Sequence, residues 1–134
     1  YEAVIVGAGS KLAEECPQGI IEAPIAKDVF RPNRRVVASG GQRAVTHFQV
    51  LKEGQSFSLL SLWLETGRTH QIRVHLAHSG YPVVGDKMYG RADKSLGRQA
   101  LHAAALEFIH PLTGEKLKLR AKRPENFQHL IDNI

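Results

Sequence analysis

The chain has 134 residues, a net charge of +5 and 43% hydrophobic side chains, which is enough apolar content for one domain with its own core. Its single cysteine, Cys16, excludes an internal disulfide and a cysteine-based zinc finger, and it fits a reducing, cytoplasmic setting. No segment approaches the roughly 20 apolar residues of a membrane span, and the basic charge favours an anionic partner. The sequence opens on Tyr1 without a methionine, so we expect it to begin inside a longer protein.

The first part of the sequence predicts short strands joined by turns. Tyr1–Gly7 has the pattern of a strand, and the glycines that follow it predict a turn up to Ser10. Lys11–Gln18 contains helix formers but also a proline, so its structure stays ambiguous. Gly19–Ile25 predicts a second strand, in which Pro24 indicates a sheet edge or a bend.

A basic loop comes next. Lys27–Arg35 combines proline with arginine, which predicts an exposed segment of the kind that carries contacts, and a short strand is predicted at Val36–Ser39. Arg31, Arg34 and Arg35 are candidate contacts to a polyanion, and their attraction to phosphates would depend on salt.

A hairpin then leads into the most informative stretch of the sequence. Arg43–Leu51 and Ser56–Leu64 are rich in β-branched, aromatic and leucine side chains around a Glu-Gly-Gln turn, which predicts two antiparallel strands. A short helix is expected to follow, with Thr69 as its N-cap and Gly80 as its C-terminal stop. So short a helix needs tertiary packing, and Ile72 and Leu76 are the expected anchors.

The polar side chains of this helix predict one wall of a cleft. His70 and Arg73 lie one turn apart and share a face. Arg68 comes just before the helix, where unpaired backbone amides and the helix dipole favour a phosphate.

The remaining sequence predicts a loop at Arg91–Arg98, a second hairpin formed by Leu101–Ile109 and Lys116–Ala121, and a closing amphipathic helix at Glu125–Ile134. Hairpins without regular βαβ alternation predict an α+β fold, with a mostly antiparallel mixed sheet and a few short helices. No linker interrupts residues 1–134, so we expect a single structural unit.

Two other features of the sequence suggest a functional site but have simpler explanations. His70, His75 and His78 suggest a metal site, but only His75 and His78 are one turn apart, and the sequence has no HExxH motif or cysteine pair. We therefore expect no metal. Asp86 follows a glycine in a turn, where its carboxylate can bond its own backbone.

Several of these segments resemble one known family. The string GRTHQIRVH, followed by Val84-Gly85-Asp86 and Tyr89-Gly90, resembles the signature of the RluA-type RNA pseudouridine synthases, and the flanking segments YEAVIVG, GIIEAPI, AVTHFQV and LHAAALEFIHP occur in the family's order. The resemblance implies a pseudouridine-synthase-like fold, of which residues 1–134 form the C-terminal part of the catalytic domain. It also implies isomerisation of uridine to pseudouridine in structured RNA without a cofactor or a metal, with large-subunit ribosomal RNA a better candidate than transfer RNA.

The same resemblance assigns roles to individual residues. Tyr1 falls on the tyrosine that stacks on the target base and assists proton removal from C5, and Arg73 falls on the arginine that pairs with the catalytic aspartate. Leu119 matches an apolar position that lines the uracil pocket. The nucleophilic aspartate of the family lies in a His-Arg-Leu-Asp segment upstream of the tyrosine, and the 134 residues do not contain that segment.

Two alternatives from other functional classes stay open at this point. One is a non-catalytic RNA-binding module on the same scaffold, because the nucleophile is not in the sequence. The other is a metal-dependent hydrolase built on the histidines. An aspartate segment upstream would favour the enzyme, and metal binding that depends on His75 or His78 would favour the hydrolase.

Overall fold

The computed structural model describes residues 1–134, which form nine strands and three helices. In chain order these are β1 (Glu2–Val6), α1 (Gly9–Glu15), β2 (Ile20–Glu22), β3 (Ile25–Lys27), β4 (Arg35–Val37), β5 (Val45–Glu53), β6 (Phe57–Leu64), α2 (Gln71–His78), β7 (Leu101–His102), β8 (Ala105–Ile109), β9 (Lys116–Arg120) and α3 (Glu125–Asp132). No helix has the length and apolar composition needed to cross a membrane.

The main sheet has five strands in the order β2-β5-β6-β1-β7, and every pairing in it is antiparallel. Two further hairpins, β3–β4 and β8–β9, form separate two-stranded sheets. The predicted β5–β6 hairpin is confirmed, with a bulge in the register between Val50 and Lys52. This arrangement is the α+β class that the sequence predicts.

Apolar side chains from all three helices pack with the main sheet. Leu60 and Leu62 of β6, Leu12 of α1 and Phe127 of α3 belong to one buried cluster. The predicted anchors of α2, Ile72 and Leu76, join the same cluster, and Val74 packs in a smaller one with Ile25 and Ala44. Helix α2 is therefore fixed between the main sheet and the β3–β4 hairpin.

The first predicted turn is instead the start of a helix. Helix α1 begins at Gly9, whose backbone N–H donates to Ser58 Oγ over 2.8 Å. A Cβ at Gly9 would lie 2.9 Å from both methyl carbons of Val50, so only glycine permits this close approach. These contacts come from two distant strands, Val50 of β5 and Ser58 of β6, the latter 49 positions from Gly9, so the local sequence does not predict them.

Two predicted strands are each divided in the structure. Gly19–Ile25 splits at Pro24, because Ile20–Glu22 pairs with β5 whereas Ile25–Lys27 pairs with β4, which confirms the predicted bend. Leu101–Ile109 splits as well. Its first two residues pair with β1 in the main sheet, and Ala105–Ile109 leaves that sheet to pair with β9.

The β8–β9 hairpin has an apolar face and a charged face. Leu106 lies opposite Leu119 and Phe108 opposite Leu117, whereas Glu107 lies opposite Lys118 on the other face. All residues of β8 are exposed. Helix α3 closes the chain as predicted, with Phe127 and Ile131 buried and Leu130 and Ile134 packed against the core.

Candidate active site

Four of the residues singled out in the sequence line one hollow. Tyr1, Arg68, His70 and Arg73 surround a cavity of about 270 Å³. Its remaining lining residues are Leu64, Gln71, Ile72, Gln99 and Leu101. The end of β6, the start of α2 and the strand β7 therefore meet around a space with basic, aromatic and apolar walls.

Tyr1 is held in place by backbone pairing with β6. Its nitrogen donates to the Leu62 carbonyl and its carbonyl accepts from the Leu62 N–H, both over 2.8 Å. Tyr1 is 45% exposed. Tyr1 also lines an adjacent hollow of about 300 Å³ together with Leu119, Leu106 and Ala105. The ring thus stands between a basic hollow and an apolar one, and it brings Leu119 next to the cluster of predicted site residues.

The start of α2 differs from the predicted Thr69 cap. The N-cap is His70, which adopts left-handed backbone angles (φ 58°, ψ 20°) and makes no side-chain cap bond. The side chain of Gln71 instead makes the hydrogen bonds that hold the start of the helix. Its Oε1 accepts from the Arg68 N–H and from Thr66 Oγ1, and its Nε2 donates to the Val45 carbonyl. The Gln71 side chain thus ties the segment before α2 to β5, and Thr69 does not serve as the cap.

Left-handed angles at a non-glycine residue cost on the order of 1 kcal/mol, and such strain concentrates at functional sites. His70 is the only non-glycine residue with a positive φ in the chain. The conformation turns its imidazole toward the hollow that Arg73 and Tyr1 also line. A 2.8 Å contact between its Nδ1 and the Tyr89 hydroxyl holds the ring there.

Arg73 forms a buried, bidentate ion pair with Asp86. Arg73 Nε and Nη2 donate to the two carboxylate oxygens, each over 2.8 Å. Asp86 is 1% exposed, and its Oδ1 also accepts from the backbone N–H groups of Met88 and Tyr89. The structural role predicted for Asp86 in its turn is confirmed by these two bonds. The sequence did not predict that Asp86 is also the partner of Arg73.

The ion pair sets the charge state of both groups. Burial alone would raise the pKa of Asp86, but the hydrogen bonds from Arg73, Tyr89 and Met88 hold that pKa below its ordinary value. The hydrogen bond to Asp86 in turn raises the pKa of Arg73. Its Nη1 makes no hydrogen bond within the chain, so this edge of the guanidinium is free for a further acceptor. The predicted pairing of Arg73 with a catalytic aspartate stays a prediction.

Tyr89 connects this ion pair to His70 and to the basic loop. The guanidinium carbon of Arg73 lies 5.0 Å from the centre of the Tyr89 ring, and that of Arg34 lies 5.3 Å from it. The Tyr89 hydroxyl accepts from the Arg35 N–H over 2.9 Å and lies 2.8 Å from His70 Nδ1. In the sequence Tyr89 stands out only as part of the family signature, and no local pattern indicates these contacts.

The hydroxyl of Tyr89 favours a proton on Nε2 of His70. Since the oxygen accepts from Arg35, its own proton can be donated to His70 Nδ1, and the imidazole then keeps its proton on Nε2. Burial, followed by the charges of Arg73 and Arg35, lowers the pKa of His70 and favours this neutral form. In this form the His70 ring is neutral and carries its N–H donor at Nε2.

Replacing Tyr89 with phenylalanine should remove the preference for a proton on Nε2 of His70. The ring and its contacts with Arg73 and Arg34 remain, while the bonds to His70 and Arg35 disappear. We expect a loss of about 1–2 kcal/mol in the free energy of unfolding. Nitrogen-15 NMR of the His70 ring should change from a protonated Nε2 to a mixture of tautomers. Tyr81→Phe, which removes an exposed bond to Glu15, is the control, and a protonated Nδ1 in the unaltered protein would contradict the assignment.

One of the histidines that suggested a metal site, His75, is bound on both sides by protein atoms. Both ring nitrogens of buried His75 are engaged, Nδ1 with Thr46 Oγ1 at 2.8 Å and Nε2 with the Ala23 carbonyl at 2.9 Å. No group of three histidine, cysteine, aspartate or glutamate side chains has the geometry to hold a metal ion. His75 within α2 is thus packed in the core, whereas His70 at the N-cap lies in the hollow.

The predicted basic loop lies beside this hollow. Arg35 lines a separate cavity of about 350 Å³ that it shares with Arg68, which also borders the first hollow. Arg68 is positioned by a 2.9 Å bond from its Nε to the Arg43 carbonyl. Arg31 and Arg34 border a third cavity of about 450 Å³ together with Lys87 and Met88. Basic side chains therefore extend from the hollow outward to the loop.

Comparisons with known proteins identify the family of the chain. Residues 1–78 match the family model described as RNA pseudouridylate synthase. The chain is 49% identical over 115 residues to "Uncharacterized RNA pseudouridine synthase YhcT" of Bacillus subtilis, a match that covers 84% of this chain and 38% of that protein. It is 37% identical over 145 residues to "Ribosomal large subunit pseudouridine synthase D" of Pseudomonas aeruginosa, covering 98% of this chain and 43% of that protein.

Comparison with solved structures indicates the same family. The solved structure of "Human RNA Pseudouridylate Synthase Domain Containing 1" superposes with a TM-score of 0.72 at 28% identity, covering 92% of this chain and 53% of that one. The chain spans about two fifths of the length of the curated relatives named above. The family expected from the sequence motifs is confirmed: the chain belongs to the RluA-type RNA pseudouridine synthase family.

Proposed function

We propose that the protein containing this chain is an RNA pseudouridine synthase that acts in the cytoplasm on structured RNA, with large-subunit ribosomal RNA as its substrate. One observation carries the proposal: Tyr1, Arg68, His70 and Arg73 line the same hollow. The ribosomal substrate is supported by the names of relatives such as the large-subunit synthase of Pseudomonas aeruginosa.

The reaction is an isomerisation, so its atoms balance without a second reactant. The bond between N1 of uracil and C1′ of the ribose breaks, the base turns, and a bond forms between C5 and C1′. C5 then loses its proton and N1 gains one. A carboxylate that acts at the ribose, a group that accepts the C5 proton and a pocket that holds the detached base are sufficient for this chemistry.

We assign these tasks to residues of this chain and to one upstream residue. A nucleophilic aspartate that precedes Tyr1 in the full-length protein acts at the ribose, and the free Nη1 edge of Arg73 holds it ionised. Tyr1 stacks on the uracil and accepts or relays the C5 proton. Leu119 closes the apolar side of the pocket, in the hollow that it shares with Tyr1.

The remaining polar residues bind the RNA around the reacting base. His70, as a neutral donor, hydrogen-bonds an oxygen of the uracil or the ribose. Arg68 sits at the junction of two cavities and binds a flanking phosphate. Because a base inside a helix cannot reach the hollow, the target uridine must be unpaired or flipped out, at a cost of a few kcal/mol.

The proposal is tested by mapping pseudouridine in ribosomal and transfer RNA from cells without the full-length gene. We expect one or more sites to be lost and to return when the intact gene is supplied. If sites disappear only from transfer RNA, the proposed ribosomal substrate is wrong, but the protein is still a pseudouridine synthase. RNA binding without any restored site would identify a non-catalytic RNA-binding module instead.

A further inference from the structure

The basic loop presents an aromatic side chain that the proposed active site does not use. Phe30 is 91% exposed and its neighbour Val29 is 86% exposed, at the tip of the segment between β3 and β4. A single exposed apolar side chain is common on protein surfaces. A fully exposed phenyl ring within a basic loop is more specific, because aromatic rings beside arginines are the usual surface on which unpaired bases stack.

The loop is held in shape by its own hydrogen bonds. Asp28 Oδ1 accepts from the backbone N–H groups of Phe30 and Arg31, and the Asp28 N–H donates to the Arg34 carbonyl. Arg35 Nη1 donates to the Pro32 carbonyl, and the Arg35 N–H is bound by Tyr89. The tip is thus presented by a closed loop that is anchored next to the hollow.

The charge of the loop has no counterpart within the chain. Arg31, Arg34 and Lys87 form no salt bridge, and the one acid of the loop, Asp28, is directed at backbone amides. These three cations line a cavity of about 450 Å³ with Pro32, Asn33 and Met88. That volume falls in the range of about 300–1,000 Å³ typical of small-ligand sites. Phe30 comes directly before Arg31 of this lining, so the aromatic tip and the cationic cavity adjoin along the chain.

We propose that this loop is a second RNA subsite, in which Phe30 stacks on an unpaired base outside the reaction centre and Arg31, Arg34 and Lys87 hold the adjoining phosphate. The RNA ligand rests on the proposed function. Tyr89 couples the two places, since its ring lies beside both Arg34 and Arg73 and its hydroxyl bonds both Arg35 and His70. The subsite therefore selects RNA in which a second nucleotide near the target uridine is unpaired.

The test measures binding of the full-length protein to two fluorescein-labelled RNA probes over a series of KCl concentrations. One probe is a hairpin with an unpaired loop, and the other is the same sequence closed into a perfect duplex. Phe30→Ala should weaken binding to the hairpin about tenfold without changing the salt slope, and Phe30→Trp should restore it. Arg31→Ala should lower the slope of the logarithm of the binding constant against the logarithm of the KCl concentration by about one on both probes.

Leu112→Ala is the matched control, because Leu112 is 90% exposed and lies on the β8–β9 turn. The proposal is overturned if Phe30→Ala binds the hairpin as tightly as Leu112→Ala does, or if it weakens both probes equally. Pseudouridine formation by the unaltered protein on the hairpin is scored separately. If Phe30→Ala weakens hairpin binding but the unaltered protein forms no pseudouridine, the subsite is supported and the proposed enzyme is not. If pseudouridine forms but Phe30→Ala binds normally, the enzyme is supported and the subsite is not.

Discussion

Replacing Tyr1 with phenylalanine in the full-length protein should lower pseudouridine formation by at least about 100-fold, which is the usual contribution of a general acid or base. The phenyl ring still stacks on the base, but it has no hydroxyl to receive the C5 proton. RNA affinity should therefore stay close to that of the unaltered protein. The measurement is single-turnover formation of pseudouridine at saturating enzyme, with binding measured separately on the same RNA.

Tyr81→Phe makes the same chemical change at a different place. Tyr81 Oη donates to exposed Glu15, and Tyr81 does not line the hollow of Tyr1. We expect this control to keep its rate. A Tyr1→Phe protein that formed pseudouridine at the normal rate would remove Tyr1 from the chemistry and leave it a stacking role alone.

The site residues that the sequence identified best are those that lie close to one another along the chain. Arg68, His70 and Arg73 lie within one turn of the start of α2, so finding the helix was enough to place them on one wall. Tyr1 could be added only through the family resemblance, because a tyrosine at a strand end has no distinctive local pattern. Antiparallel pairing with β6 then brings it to that wall.

The features that the sequence did not predict depend on contacts between distant segments. Asp86 lies 13 positions from Arg73, and Tyr89 meets Arg35 across 54 positions, so neither bond follows from helical or strand periodicity. The split of Leu101–Ile109 has a similar cause, since two different partners compete for one apolar run. Local preference sets which element can form, and tertiary pairing decides where it ends.

Replacing Asp86 with asparagine should lower the free energy of unfolding by about 3 kcal/mol. Asparagine keeps the size of the side chain and an oxygen for the amides of Met88 and Tyr89, but the positive charge of Arg73 then lacks its partner in a buried site. The measurement is urea unfolding of the full-length protein. Glu22→Gln is the control, because the ion pair of Glu22 with Arg43 is exposed and should contribute less than about 1 kcal/mol.

The pH dependence of this loss has a defined sign. The pKa of Asp86 is lower in the folded protein than in the unfolded chain, so its contribution is fully present above the ordinary carboxyl pKa and is lost as the pH falls through the folded value. The difference in stability between the unaltered and Asp86→Asn proteins should therefore be constant near neutral pH and shrink under strongly acidic conditions. A difference that grew on acidification would contradict the ion-pair explanation.

A double variant separates the structural role of Arg73 from its proposed catalytic role. Arg73→Ala alone leaves the Asp86 carboxylate buried without its partner, so its inactivity could result from unfolding. Arg73→Met combined with Asp86→Asn leaves no unpaired charge and keeps the bonds to Met88 and Tyr89, and we expect it to be more stable than either Arg73→Ala or Asp86→Asn. If this folded protein forms no pseudouridine while Asp86→Asn alone does, Arg73 acts on the reaction itself. If the double variant forms pseudouridine normally, Arg73 serves only to hold Asp86 and the turn that carries Tyr89.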